Sequence, residues 1–240
     1  MAWQSLLSNL LPQYGNLPGN TALDAIERAI ARALSNTFGV PFAVRLNQRL
    51  EIWKVPPAGE IEEFTTRRFS AKMRRYILFE IENELRAAQV VLESDKLLSL
   101  KGKVVTGKVK RIDTKGNVLV EMELVDLFER YILIGECPPR FQPPHERRRY
   151  VPGETRKWYV TSIKPVAGRN NARVLVKLSR VARPLPAILL TGQSGIDRIA
   201  CIRRFPGNES HIVADQRIPK EAIAAVKSEL REDVRVQVLS

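Results

Sequence analysis

Four lysines and an arginine fall within the twelve residues KGKVVTGKVKRI at 101–112, interleaved with valines. Cationic side chains alternating along a strand line one face, and such a row can displace counterions from a phosphate backbone. The cations continue downstream. Lys115 sits in the turn DTKGN (113–117), Arg140 and the run Arg147, Arg148, Arg149 in the proline-rich loop CPPRFQPPHERRRYVPGE (137–154), Arg169 in PVAGRNN and Lys177 in RVLVKLS. A guanidinium cluster on a loop suits phosphates or an acidic protein surface. The plainer reading is a set of solvated strand faces and a solubilising loop.

Stacking is the other half of single-strand binding, because every base offers a π-face to an aromatic ring. The first two strands of this basic region carry no aromatic residue; Trp158 and Tyr159 come later, side by side. Adjacent strand positions point to opposite faces, so one ring enters the core and the other is left exposed to a base. Trp158 is taken as the candidate, and the affinity expected is modest, salt-sensitive and weakly sequence-selective. Bond-making chemistry has little to work with. The chain has two histidines and shows no Ser-His-Asp order, Walker loop or dinucleotide fingerprint. Cys137 and His145 stand eight apart with no further ligand near, so neither a metal nor another cofactor is expected. Two cysteines in no metal or redox pattern fit a reducing cytoplasm. The expectation is a protein that binds and does not catalyse.

The 240 residues include 39 lysines and arginines against 26 acids, a net charge of +13. Such a field favours polyanions, nucleic acid ahead of an anionic membrane. Its placement is uneven. Residues 102–183 hold eighteen cations and eight acids, so ten of the thirteen surplus charges fall on about a third of the chain. No run approaches the roughly 18–20 apolar residues of a membrane span. The opening MAWQSLLSNLLPQY lacks the basic start of a secretory signal. Its Trp3, Leu6, Leu7, Leu10 and Leu11 sit instead at helical spacing, which predicts a short docking helix.

Periodicity indicates the elements that position these groups. TALDAIERAIARALSN (21–36) is a helix with Thr21 as N-cap and Leu23, Ile26, Ile30 and Leu34 on one face. VPFAVRLNQRLEIWKV (40–55) alternates about an Asn-Gln turn, a β-hairpin. Residues 67–94 form a long helix with Phe69, Met73, Ile77, Ile81, Leu85, Ala88 and Leu92 as its buried stripe. Arg67, Arg68, Arg74 and Arg75 crowd the start of that helix, where the dipole disfavours cations. A partner surface would explain them, although Glu62 and Glu63 are close enough in sequence to neutralise them.

Residues 102–180 break into five short strands separated by Gly, Asn and Pro, a small closed barrel. Gly107 in its first strand suits the bending a barrel requires. ARPLPAILLTGQSG (182–195) is expected to be a connector, and the remainder reads strand, strand, helix, strand. The fold class is therefore α+β and multidomain. An α/β head with a long helix occupies 1–100, a five-stranded barrel 101–182 and a small β-β-α-β unit 183–240.

The middle pattern, GKVVTGKVKRIDTKGNVLV from Gly102 to Val120, resembles the S1 RNA-binding domain, an OB-type barrel. PGETRKWYVTSIK and RVLVKLSR are similar to the closing half of that domain. ALDAIERAIARALSNTFG (22–39) and RRFSAKMRRYILFEIENELRAAQ (67–89) resemble the first and connecting helices of the head in the NusA family of bacterial transcription elongation factors. RIACIRRFPGNESHIVAD (198–215) and RIPKEAIAAVKSELREDVRVQVL (217–239) resemble the outer parts of that family's first KH domain. The resemblance covers roughly residues 20–240. The departures are specific. Between Asp215 and Ile218 there is no room for the helix–GxxG–helix clamp that lets a KH domain hold a nucleic-acid backbone, no second KH domain follows, and the loop 137–154 is longer and more basic than is usual in the family.

The resemblance implies a head that docks on RNA polymerase, an S1/OB-type barrel that guides single-stranded nascent RNA, and a KH-like remnant. The consequence would be modulated pausing, termination or antitermination, carried out in the cytoplasm at the nucleoid. Single strands cross an OB-type barrel over strands two and three and the loops joining strands one–two and four–five. The implied RNA-binding set is Lys108, Lys110, Arg111, Lys115, Arg147, Arg148, Arg149, Trp158, Arg169 and Lys177. The implied polymerase-binding set is Arg67, Arg68, Arg74 and Arg75. Two other classes stay open: a free-standing S1-type RNA-binding protein acting in translation or RNA decay, and a basic structural protein of a membrane or ribosome, indifferent to single strand against duplex.

Overall fold

A computed structural model of the chain describes residues 10–47, 49–126, 129–168 and 171–239. Most of the expected N-terminal docking helix, Gln48 of the Asn-Gln turn and Arg169 lie outside the described residues. The described chain is α+β, with four α-helices and eleven strands. It divides into two compact units, residues up to Lys96 with Pro165–Val174, and Leu97–Lys164 with Leu175 onward.

In the first unit, α1 (Gly19–Phe38) buries Ala22, Ala25, Ile26, Ala29, Ile30, Ala33 and Leu34, positions that a 3.6-residue period brings to one face. It opens two residues ahead of the expected cap. Pro18 holds the N-cap position with no side-chain bond, so Thr21 lies within the first turn. Gly39 ends the helix, its φ of 71° letting its N–H reach the Ser35 carbonyl at 2.9 Å. β1 (Phe42–Leu46) and β2 (Leu50–Lys54) form the antiparallel hairpin, extended by β3 (Glu62–Glu63). α2 (Ala71–Leu97) begins four residues later than periodicity suggests, after a 3-10 turn at Thr66–Arg68. Ile77, Ile81 and Leu85 of its stripe are fully buried in the core they share with α1 and the hairpin.

β4 (Val104–Ile112), β5 (Val118–Asp126), β6 (Glu129–Cys137), β7 (Thr155–Val166) and β8 (Arg173–Ser179) close into a barrel in the order β4-β5-β6-β8-β7. β4–β5, β5–β6 and β4–β7 pair antiparallel, and β6–β8 parallel. Five strands closed in this way are compatible with an OB-type barrel. Val109, Val118, Val120, Met122, Trp158, Val160, Val176 and Leu178 fill its interior. Gly107 is needed for room. Its φ is not positive, but a Cβ there would run into Val120 and come within 3.2 Å of the Trp158 ring. Gly135 on β6 stands in the same relation to Leu178, which a Cβ would meet at 2.5 Å.

The stretch expected to be a connector is a helix, α3 (Leu185–Ser194). Its prolines, Pro184 and Pro186, fall at the cap and in the first turn, where the missing N–H has no intrahelical partner to lose. Gly195, at φ 71°, closes it with an N–H to the Thr191 carbonyl at 2.8 Å. The residues that read as loop punctuation thus mark the two ends of a helix. β9 (Ile199–Phe205), β10 (Glu209–Ala214), α4 (Lys220–Leu230) and β11 (Asp233–Val238) follow. The sheet order is β11-β10-β9, with β10 antiparallel to β9 and parallel to β11 across α4. Leu185, Leu190, Ile212, Ile218, Val226 and Leu230 make its core, and Val104 of β4 and Tyr159 of β7 pack against that core from the barrel.

Candidate nucleic-acid interface

Barrel alternation puts Val118, Val120 and Met122 inside, which sends Glu121 and Glu123 to the outer face of β5. Ile134 and Ile132 lie opposite them on β6, both exposed. The face formed by strands two and three therefore carries carboxylates and isoleucines. Two of the expected cations beside it are already engaged. Lys110 Nζ lies 3.3 Å from a Glu121 carboxylate oxygen, and Lys177 Nζ lies 3.0 Å from Glu136. Register places Lys177 opposite Glu136, and Lys110, at the irregularity in β4, reaches Glu121 on the neighbouring strand, so phosphate would compete there with an internal anion.

Trp158 is a correction to the expected stacking platform. It is 0% exposed, its Nε1–H donates to the Gly107 carbonyl at 3.1 Å, and its ring lies 5.7 Å from that of Tyr150. Tyr159, on the other face of β7, is occupied against the C-terminal core. The Trp158 ring is closed to a base, and Tyr159 is half-buried.

The remaining cations lie toward the β4–β5 turn and the loop after β6. Among the described residues Lys108, Arg111, Lys115, Arg147, Arg148 and Arg149 form no ion pair, and all six are exposed. Lys115, Arg147 and Arg148 line a cleft of about 520 Å³, walled on its apolar side by Ile112, Pro139 and Tyr150. The turn is built by Asp113. Its carboxylate accepts the Lys115 and Asn117 N–H groups at 2.8 and 2.9 Å and the Asn117 side-chain amide at 2.8 Å. The Asn117 bond in particular holds the Asp113 carboxyl below its usual range. Gln142 fastens the loop to the turn: its buried Nε2 donates to the carbonyls of Gly116 at 2.9 Å and Cys137 at 2.8 Å. Arg147 Nε donates to the Gln142 carbonyl at 3.3 Å, and Arg148 is held at φ 60°, a conformation rare for a residue with a Cβ.

The same loop carries a buried ionic centre that sequence reasoning did not single out. Glu146 and Arg180 are 1% and 0% exposed. Arg180 donates through Nε and Nη2 to the two Glu146 oxygens at 3.1 and 2.7 Å, and through Nη1 to Glu229 at 2.6 Å. Tyr150 and Arg156 donate to the same Glu146 carboxylate at 2.7 and 2.8 Å. Burial opposes ionisation of Glu146, but the bonds and charge of Arg180, then Tyr150 and Arg156, outweigh it and depress its pKa. Because Glu229 belongs to α4, this centre ties the barrel to the C-terminal sheet. A second tie is Arg204, whose Nη1 donates to the Ala182 carbonyl at 2.5 Å while its Nε meets buried Glu232 at 2.9 Å. No feature of periodicity marks these residues. The only signal is a cation at the end of a barrel strand.

In the head, Arg67 and Arg75 are exposed, while Arg74 is half-buried with a buried Nε that has no hydrogen-bond partner. The side chain of Arg68 lies outside the described residues. Among the described residues no group of three or more His, Cys, Asp or Glu side chains is placed to hold a metal, and no helix is long and apolar enough to cross a membrane. The chain matches no known family model and no curated protein, so a reading of its role rests on its own residues.

Proposed function

We propose that the chain is a non-enzymatic transcription factor of the NusA type, whose head docks on RNA polymerase and whose basic S1/OB-type barrel guides single-stranded nascent RNA. The observation that carries this reading is the surplus of ten positive charges over residues 102–183, the stretch that makes the barrel. A closed barrel with unpaired cations along one turn and loop holds a phosphate backbone by electrostatics, with no bond made or broken. Weak sequence selectivity follows, since Trp158, the ring expected to stack, is buried.

The parallel pairing of β10 and β11 across a single helix supports the reading of residues 183–240 as a KH-like unit. Only Asp215–Pro219 separate β10 from α4, which leaves no clamp for a backbone. On this reading the C-terminal sheet braces the barrel, and the site of action is the nucleoid in the cytoplasm.

The test is a pull-down of cellular RNA polymerase by the full chain and by an Arg67→Glu/Arg75→Glu variant, with oligoribonucleotide binding measured in parallel. Retention by the wild type and loss in the variant, with RNA binding unchanged, is the expected result. RNA binding without any polymerase retention would replace this reading with a free-standing RNA-binding protein. Equal affinity for single strand and duplex would favour a basic structural protein.

A further inference from the structure

We propose that the cleft between the β4–β5 turn and the loop after β6, and not the outer face of β5 and β6, is where the barrel grips the phosphates of single-stranded RNA. The inference rests on the RNA-guiding function proposed above and names the site that performs it. Three features of the cleft carry it.

The first is the state of the charges. On the β5–β6 face the lysines are satisfied by Glu121 and Glu136. In the cleft Lys115, Arg147 and Arg148 meet one carboxylate, Asp113, and that carboxylate is already bonded to Asn117 and the Lys115 N–H. A phosphate arriving there displaces solvent counterions without having to break an internal ion pair. The second feature is the frame. Buried Gln142 locks turn to loop through two carbonyls, so the cations are mounted on a braced rim. Arg147 is oriented by its Nε bond to the Gln142 carbonyl, which leaves its two Nη groups to fork onto phosphate oxygens. The third feature is Arg148. A left-handed backbone at a residue with a Cβ is disfavoured, and such positions persist where the surroundings impose them, often at ligand clamps. Glycine would suit this position better on backbone grounds, so the presence of arginine points to the side chain.

The experiment compares two variants of equal charge in the full-length protein: Arg147→Gln/Arg148→Gln in the cleft and Lys110→Gln/Lys177→Gln on the sheet face. Each removes two positive charges, so the overall field changes alike. The probe is a fluorescent ten-residue oligouridylate, titrated between 50 and 200 mM salt, with thermal melting to confirm that each variant is folded. The cleft variant is expected to weaken binding at least about tenfold and to flatten the log K against log salt slope by roughly 1.4, two phosphate contacts at about 0.7 each. The face variant is expected to stay within about twofold of wild type, because its lysines are paired. Arg148→Gly, which keeps the turn and removes the charge, should lose affinity while melting no lower than wild type.

Equal losses in the two double variants would mean a diffuse field and would overturn the cleft. A larger loss in the face variant would overturn it too, while leaving the RNA-guiding function intact. Absence of oligouridylate binding by the wild type would overturn both.

Discussion

Replacing Arg180 with methionine removes the cation on which the second unit closes, while keeping much of the volume. Arg180 donates five hydrogen bonds: two to Glu146, one to the Glu229 carboxylate, and one each to the Lys157 and Glu229 carbonyls. Breaking a buried ion pair by deleting one partner costs about 3–5 kcal/mol, because the other charge is left uncompensated. Here Glu146 retains Tyr150 at 2.7 Å and Arg156 at 2.8 Å, so its charge is not stranded. Glu229 is 29% exposed and can turn to water. The expected cost of Arg180→Met is therefore near the bottom of the range, about 3 kcal/mol. Glu146→Gln should cost a similar amount, since it leaves two guanidinium groups facing one amide. The double variant should cost clearly less than the sum, because the second change removes what the first left unpaired. Urea unfolding followed by circular dichroism reads all three, and hydrogen exchange should show the β9–β11 amides opening ahead of the barrel in Arg180→Met. A cost below about 1 kcal/mol, or additivity within about 0.5 kcal/mol, would refute the reasoning that Arg180 and Glu146 act as one centre.

The pH dependence of that centre has a definite sign. Glu146 is depressed below its ordinary value of 4.5, so its contribution is fully present above that pH and disappears as pH falls through the folded-state value. The difference in urea midpoint between wild type and Glu146→Gln should be constant near neutrality and shrink below pH 4.5; a gap that widens on acidification would contradict the assignment. Gly107→Ala should destabilise the barrel by about 1–3 kcal/mol through overpacking against Val120 and Trp158, measured as a lowered melting temperature, with no change expected if the interior had slack. Burial pushes the Cys137 thiol up to about 12, which keeps it protonated at pH 8. In a Cys201→Ser background the folded protein should be silent to a thiol reagent and react only after unfolding, and rapid reaction of the native state would show that the barrel interior opens.

The hairpin and the stripe of α2 were legible because a 2- or 3.6-residue period records which side chains are buried, and burial is what Ile52, Ile77, Ile81 and Leu85 share. The barrel was legible for the same reason, with turn residues spacing five alternating runs. α3 was hidden because local punctuation is ambiguous: Pro186 breaks a helix in its middle and is welcome at its start, and only the partner packing decides. Adjacency told that Trp158 and Tyr159 face opposite ways, but not that the outward face of β7 would itself be covered by the C-terminal core. Lys110 and Lys177 read as free cations because their partners Glu121 and Glu136 lie across strands, and register is a three-dimensional fact. The gathering of Lys115 with Arg147 and Arg148 depends on Gln142, one amide in a loop that no periodic signal marks.

Arg180 and its partner Glu229 are separated by 49 residues, and this spacing has a consequence for how the protein is made. At a translation rate of about 5–20 residues per second, roughly 2.5–10 seconds pass between the synthesis of one and the other. During that interval the last barrel strand can be in place while one face of its terminal guanidinium still lacks its carboxylate. The outer faces of Val104 and Tyr159 also wait for the core that covers them. The nascent barrel is thus a basic, partly uncovered body beside the polyanionic ribosome until α4 emerges. The Arg180–Glu229 tie waits for the emergence of the last helix, a delay that synonymous codons between 181 and 229 would lengthen or shorten.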